Sequence, residues 1–502
     1  MIRSHSAHTV KNRISPVLVV LCCQSVLLFW NLDLLPAWGD ELFTLRTVGH
    51  PIATIISTAR YADIHPPLYP ILLHYWDLLP LPWSGIAALR AFSAIAVLLA
   101  TFLFDHFWVC HWKAGRRWLT LVLFAFSPCI LLYGRMARSY AMQTGIALLA
   151  ISLLWRWLQE PNLTARRAVP AFTAAALLLY TDYLPGFAVL AGFSLIAWRR
   201  LGLARATLFC AAIAASCTPW LLAFAAALRN WEEAATFRAH YALTGNLIVE
   251  QGPKIAFGLI SLTVGESFFP LSLALVPVML TLAWWGSRLR VFGPVRPFLC
   301  LTAAIAYFGA ARWVTWPFLA ARLLWLLPFL MFALALGILR CAPPIRRIVA
   351  TAILASFAFS AALYFRREDY ANLGYTAPVR EIAARIKLEA SARDLILIDE
   401  YNTDVDAIQY YLRGYFKTFR VSAETVALVR TLIPPAPAVW IVRNTRDVSP
   451  GHLLTAVQAD ACHGRRRSDV FYERYSVWQR SALRWIGGAT APEYFYEVTV
   501  CT

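Results

Sequence analysis

Two neighbouring carboxylates, Asp40 and Glu41, stand in the stretch AWGDELF, directly after an apolar run from Ser15 to Leu35. The same loop then carries Asp63-Ile64-His65-Pro66-Pro67-Leu68-Tyr69. Acids at the end of an apolar segment are commonly just solvated. Here Trp38-Gly39 ahead of the pair points to a close approach to the membrane surface, and the Pro-Pro step stiffens the second polar site by fixing two φ angles. A partly desolvated carboxylate in such a place can act as a general base.

Cationic groups recur at the same level of the chain. The stretch YGRMARSYAMQ places Arg135 and Arg138 three residues apart, on one helical face if a helix begins there, with Tyr140 beside them. Arg322 lies about one turn into the apolar run that opens at Phe318, where a lone arginine is costly unless it snorkels or has a partner. Asp182 in YTDYLP is another acid at a span edge, and Glu266 in TVGESFFP lies inside a long apolar segment. Guanidinium groups suit phosphate. A base that deprotonates an acceptor hydroxyl, with fixed cations for the charge growing on a departing phosphate, would support transfer from a lipid-phosphate donor. Phosphate is already a weak base, so that chemistry needs no strong general acid.

The elements that must position these groups are membrane helices. Of 502 residues 59% are hydrophobic and only 15% charged, and the mean hydropathy is +0.57. Soluble domains carry about 25% charged residues. Apolar runs recur through the first 366 residues and predict a polytopic α-helical membrane protein of about eleven spans. The expected spans are 15–35, 85–107, 118–134, 138–157, 168–183, 185–199, 206–228, 255–285, 297–314, 318–340 and 347–366. The eighth contains Pro270 and Pro277 and is long enough to be tilted, kinked or double. The net charge of +18 sits mostly in clusters between spans, such as Arg166/Arg167 and Arg346/Arg347. That is the positive-inside pattern, and it argues against nucleic acid as a partner. It also sets the N-terminus in the cytoplasm, the first apolar segment being a retained helix.

On this path the loop 36–84 faces outward, with one or two short interfacial helices and Trp38, Trp76 and Trp83 as aromatic anchors. The composition changes after Arg366. PVREIAARIKLEA reads as an amphipathic helix, RDLILID, AVWIVRN and YFYEVTV as strands, and Asp404 to Arg413 as a further helix. The expected organisation is a membrane module 1–366 followed by a soluble α/β domain 367–502. In an oxidising compartment Cys462 and Cys501 become a disulfide candidate. The other eight cysteines fall in or beside spans, and no CxxC or His/Cys metal spacing exists.

W-G-D-E in the first outer loop, then H-P-P-L-Y, then R-x-x-R-S-Y at the start of the fourth span resembles the GT-C glycosyltransferases. More narrowly it resembles their PMT-like group, which includes protein O-mannosyltransferases and the bacterial enzymes that add aminoarabinose to lipid A. The resemblance covers 1–366, and the soluble tail fits bacterial members that end in a periplasmic α/β domain. It implies an inverting transfer from a polyprenyl-phosphate sugar to an unknown acceptor, in a multi-pass protein of the bacterial inner membrane. It further implies that Asp40 is the base and that Glu41 orients groups or holds a cation. Arg135, Arg138 and Arg322 then face the donor phosphate, with Tyr140 helping to close that site. His65 stands where the lipid A enzymes have a phosphate-contacting lysine. Asp63, Tyr69, Asp182 and Glu266 are further candidates. Divalent metal use varies in GT-C enzymes, so a divalent cation stays an open expectation. The competing reading is a transporter or flippase, which wants mid-membrane acids or broken helices. Only Glu266 and the Pro-containing eighth segment favour it.

Overall fold

The structure is a computed structural model that describes residues 15–61, 65–160, 165–233, 247–289, 295–313, 319–399, 405–444, 453–462, 466–471, 481 and 496–502. The chain is a multi-pass helical membrane protein with a small C-terminal sheet. Among the described residues five helices have the length and apolarity to cross a membrane: Ile86–Val109, Tyr140–Leu158, Tyr183–Leu201, Pro270–Ser287 and Pro343–Arg366. Helices Leu203–Ser216 and Thr218–Ala226, bent by 72° at Cys217, make a sixth if they count as one span. Shorter apolar helices run over Pro16–Phe29, Arg296–Ala310 and Leu324–Arg340.

Several expected spans are interrupted where the sequence supplies a breaker. The third divides into helices Ala114–Ala125 and Pro128–Tyr133, with Pro128 starting the second piece, where its missing N–H costs nothing. The eighth is two segments. Helix Leu247–Val264 stops at Gly265, whose φ of +86° suits glycine alone, and the chain resumes at Pro270.

The elements that carry the site come early in the chain. Helix α1 (Pro16–Phe29) leads into the loop 36–84, whose described residues form three helices: α2 (Gly39–Val48), α3 (Ile52–Tyr61) and α4 (Leu68–Asp77). One or two were expected. The extra one arises because Gly49-His50-Pro51 splits the mixed stretch after Asp40. Its tryptophans pack inward as well. Trp76 donates Nε1–H to the Ala88 carbonyl at 2.8 Å, and Trp83 stacks on Phe29 at 5.3 Å. Ala88 belongs to helix α5 (Ile86–Phe104), and Phe29 to α1.

Arg322 is held from another direction. It ends the short helix Leu319–Arg322, just before helix Leu327–Arg340. That second helix packs backbone to backbone on Leu275–Ser287, because Gly286 and Gly337 have no Cβ to separate them. Gln143 Nε2 also donates to the Ala321 carbonyl at 3.1 Å, joining the short helix to Tyr140–Leu158.

Beyond Arg366 the described residues form a five-stranded sheet in the order β2-β1-β3-β5-β4. Its strands are β1 (Leu395–Asp399), β2 (Thr418–Val421), β3 (Val439–Asn444), β4 (Arg466–Phe471) and β5 (Tyr496–Cys501). β1 pairs in parallel with β2 and β3, while β5 runs antiparallel to β3 and β4. Strands β2 and β4 were not expected. They are short or polar edge strands, with no alternating apolar signal to read. Helices Val379–Glu389 and Val405–Leu412 flank the sheet as anticipated. Cys462 and Cys501 lie side by side as a disulfide, with Cα atoms 4.8 Å apart.

This unit grips the segment that joins α1 to α2, and α2 itself. Arg380 Nη2 donates to Asp33 Oδ1 at 2.7 Å and to the Leu35 carbonyl at 3.1 Å. Tyr411 Oη accepts the Ala37 N–H at 2.9 Å, and Arg46 pairs with Asp406 at 3.1 Å.

Candidate active site

Asp40 and Glu41 occupy the first turn of α2, where the helix N-terminus favours negative charge. Successive residues on a helix turn by about 100°, so the two side chains diverge. Glu41 is fully buried: its Oε1 accepts from Arg90 Nε at 2.9 Å and its Oε2 from Arg90 Nη2 at 2.5 Å. Oε1 also accepts the Ala137 backbone N–H at 2.8 Å. Arg90, from α5, spends its remaining donors on the carbonyls of Leu32 and Leu35 at 3.0 and 2.9 Å and of Pro36 at 3.2 Å. One buried ion pair therefore ties together the end of the first span, α2, α5 and the turn after Tyr133. Both Glu41 oxygens are engaged, so the side chain positions its neighbours and has no oxygen turned outward for a cation.

Asp40 faces the other way, with its side chain 48% exposed. Its Oδ2 lies 3.6 Å from Arg138 Nη2, whose own side chain is 9% exposed. Arg138 Nη1 donates to the Asp40 carbonyl at 3.3 Å and to Thr44 Oγ1 at 3.1 Å. The Glu41–Ala137 hydrogen bond joins the residues next to Asp40 and Arg138, and so sets the spacing of that pair.

A second arginine closes on the same point. Arg322 Nη2 lies 2.5 Å from His65 Nε2, and Arg138 Nη2 lies 3.4 Å from the same nitrogen. Arg322 Nη1 donates to Asp182 Oδ2 at 2.9 Å. Asp182 is the N-cap of helix Tyr183–Leu201, its Oδ1 accepting the Leu184 N–H at 3.1 Å. The Arg322 guanidinium sits 5.5 Å from the Tyr140 ring centre. Asp40, His65, Arg138, Tyr140, Asp182 and Arg322 thus gather from five separate stretches of the chain, Arg138 and Tyr140 sharing one. Tyr69 lines the small cavity beside His65 and Arg138, with its hydroxyl 3.3 Å from Ser93 Oγ.

Other candidates lie elsewhere. Arg135 does not join Arg138, although the two were expected on one face. Helix Tyr140–Leu158 starts only after them, so residues 134–139 lack the helical repeat that would align them. Arg135 instead donates to the carbonyls of Trp30 and Asn31 at 2.7 and 2.5 Å and packs on Tyr364 and Phe365. It caps the exit of α1. Glu266 is buried against Tyr133 and Ser261, in the break between two helices. Asp63 lies outside the described residues. Among the described residues no three His, Cys, Asp or Glu side chains gather to hold a metal ion.

Arg90 was missed, although its signal was in the sequence. It is a lone charge inside the apolar run IAALRAFSAIAV, the same cue that pointed to Arg322.

No protein-family model matches the chain, and no curated protein sequence does. Solved structures do. The fold is that of the GT-C glycosyltransferases. ArnT from Cupriavidus metallidurans in the apo state is 15% identical with a TM-score of 0.54, over 96% of this chain and 97% of that one. ArnT bound to undecaprenyl phosphate covers the same shares at 14% identity and a TM-score of 0.50. The archaeal oligosaccharyltransferase AglB from Archaeoglobus fulgidus, in complex with an inhibitory peptide and a dolichol-phosphate, is 13% identical. It aligns with a TM-score of 0.50 over 85% of this chain and 69% of that one.

Proposed function

We propose that this chain is an inverting glycosyltransferase that moves a sugar from a polyprenyl-phosphate donor to an acceptor hydroxyl at the outer face of the bacterial inner membrane. The observation that carries the reading is the half-exposed carboxylate of Asp40 set against the buried Arg138, with His65 joining Arg138 to the largely buried Arg322. Two of the solved structures with this fold are complexes with undecaprenyl phosphate or a dolichol-phosphate, which supports a donor of that class.

In the proposed reaction Asp40 takes the proton of the acceptor hydroxyl as its oxygen attacks the anomeric carbon from the face opposite the phosphate. The new glycosidic bond forms while the bond from that carbon to the phosphate oxygen breaks. The electron pair leaves with polyprenyl phosphate, which gains a negative charge. Arg138 and Arg322 are already held by Asp40, Thr44 and Asp182, so they meet that charge with little reorganisation. Glu41 and Arg90 set where Asp40 and Arg138 stand. We read 1–366 as the catalytic module and 367–502 as a periplasmic unit docked on its outer loop. The transporter reading keeps one support, Glu266 buried at a helix break and bonded to Tyr133 and Ser261, but gives no account of the Asp40, Arg138, His65 and Arg322 cluster.

The test is release of polyprenyl phosphate when purified protein in nanodiscs is given polyprenyl-phosphate sugars and an envelope lipid or glycan extract. Release that depends on both supports the reading. Movement of donor across the bilayer with no bond cleavage would replace it with the transporter.

A further inference from the structure

His65 Nε2 lies between two guanidinium groups, 2.5 Å from Arg322 Nη2 and 3.4 Å from Arg138 Nη2. A guanidinium has only donors, so a ring nitrogen that serves both must accept, and the imidazole that fits is neutral at Nε2. We propose that His65 is a neutral acceptor that gathers Arg138 and Arg322 into one clamp, and that it is not itself a cation placed on the donor phosphate. The proposal rests on the glycosyltransferase reading and says how that site meets phosphate charge: with two arginines held at a set separation.

The surroundings agree with a neutral ring. From α2 the facing groups are Asp40 and Thr44, from the turn after Tyr133 Arg138, and from the start of helix Tyr183–Leu201 Asp182. Tyr140, Arg322 and, from α4, Tyr69 are further neighbours among the described residues. Two cations already stand against two carboxylates, Arg138 with Asp40 at 3.6 Å and Arg322 with Asp182 at 2.9 Å. A third positive charge at position 65 would face both arginines with donors alone and push them apart. Pro66 and Pro67 fix two φ angles directly after His65, so the backbone that carries the ring has little freedom to shift. A side chain that accepts without charge, such as glutamine, can do the same work. Lysine cannot.

The experiment uses full-length wild type, His65→Gln, His65→Lys and His65→Leu in nanodiscs, with undecaprenyl phosphate as the probe and affinity read by native mass spectrometry. Unfolding temperature is measured beside it. Expected is that the glutamine variant binds at least ~10-fold more tightly than the lysine and leucine variants, a typical effect of a charge-assisted hydrogen bond. Lysine binding as well as wild type or better, with glutamine weak, overturns the proposal in favour of a direct phosphate cation. Equal losses in all three also overturn it. Should the lysine variant fail to fold, the pH profile decides. Wild-type affinity should fall on acidification relative to His65→Gln, the difference between the curves cancelling titration of the probe itself. Parallel curves would count against it. Failure of the wild type to bind the probe at any pH would strike the glycosyltransferase reading instead, and the clamp with it.

Discussion

Arg90 closes on Glu41 with two hydrogen bonds, at 2.9 and 2.5 Å, in a place sealed from solvent. The preceding residue in the chain, Asp40, is half exposed. Adjacent carboxylates therefore have different jobs. Losing one partner of a buried ion pair strands the other charge and costs ~3–5 kcal/mol. Glu41→Ala and Arg90→Ala should each lose about that much by denaturant unfolding in detergent, and Asp40→Asn far less. In a double-mutant cycle the two losses should be strongly coupled. Simple additivity would mean the pair does not act as one unit.

Arg135 and Arg138 should separate cleanly. Arg135 binds the carbonyls of Trp30 and Asn31, while Arg138 reaches Asp40, Thr44 and His65. Arg135→Ala should lower stability by ~1–3 kcal/mol through lost hydrogen bonds and leave donor affinity little changed. Arg138→Ala should weaken donor use. Measuring unfolding and undecaprenyl-phosphate affinity on both proteins checks this, and the reverse pattern would return Arg135 to the site.

The Arg322–Asp182 ion pair aims one arm of the clamp. Arg322→Ala should cut donor affinity by ~10-fold or more, the scale of a lost charge-assisted contact. Asp182→Asn should act in the same direction but less, because the guanidinium stays and loses only its tether. If titrating the donor against both variants gives wild-type affinity for Arg322→Ala, that arginine only bridges helices.

Cys462 and Cys501 close a loop of 39 residues between the end of helix Leu453–Ala461 and β5. A cross-link of that span stabilises by roughly 4 kcal/mol, mostly through the unfolded chain. Neither thiol should react with a maleimide in protein kept unreduced. Cys462→Ser should lower the unfolding temperature of the C-terminal unit. Labelling of both cysteines without reductant would remove the cross-link.

Much of this was legible in the sequence because bilayers demand it. A charge inside an apolar run needs a partner or a function, and that rule found Arg322, while Asp182 was read separately as an acid at a span edge. Which charge pairs with which was not legible. Arg322 and Asp182 are 140 residues apart, and their meeting depends on how helices cross. Arg135 shows the opposite failure. Spacing of three implies a shared face only where the chain is already helical, and residues 134–139 are turns. His65 was read by analogy with a lysine, and its two arginine neighbours change its role from cation to acceptor. Strands β1, β3 and β5 carried strong apolar runs, whereas β2 and β4 lie at the sheet edges and carried none.

The central claim is that Asp40 is the base of a lipid-fed sugar transfer. Its most direct test is turnover of radiolabelled polyprenyl-phosphate sugar by membranes containing wild type or Asp40→Asn, with the amount of folded protein matched. Loss of a positioned base costs ~10²–10⁴-fold in rate, so the asparagine variant should be inactive within detection while binding donor nearly as well as wild type. An asparagine variant that turns over donor at a wild-type rate would contradict the account.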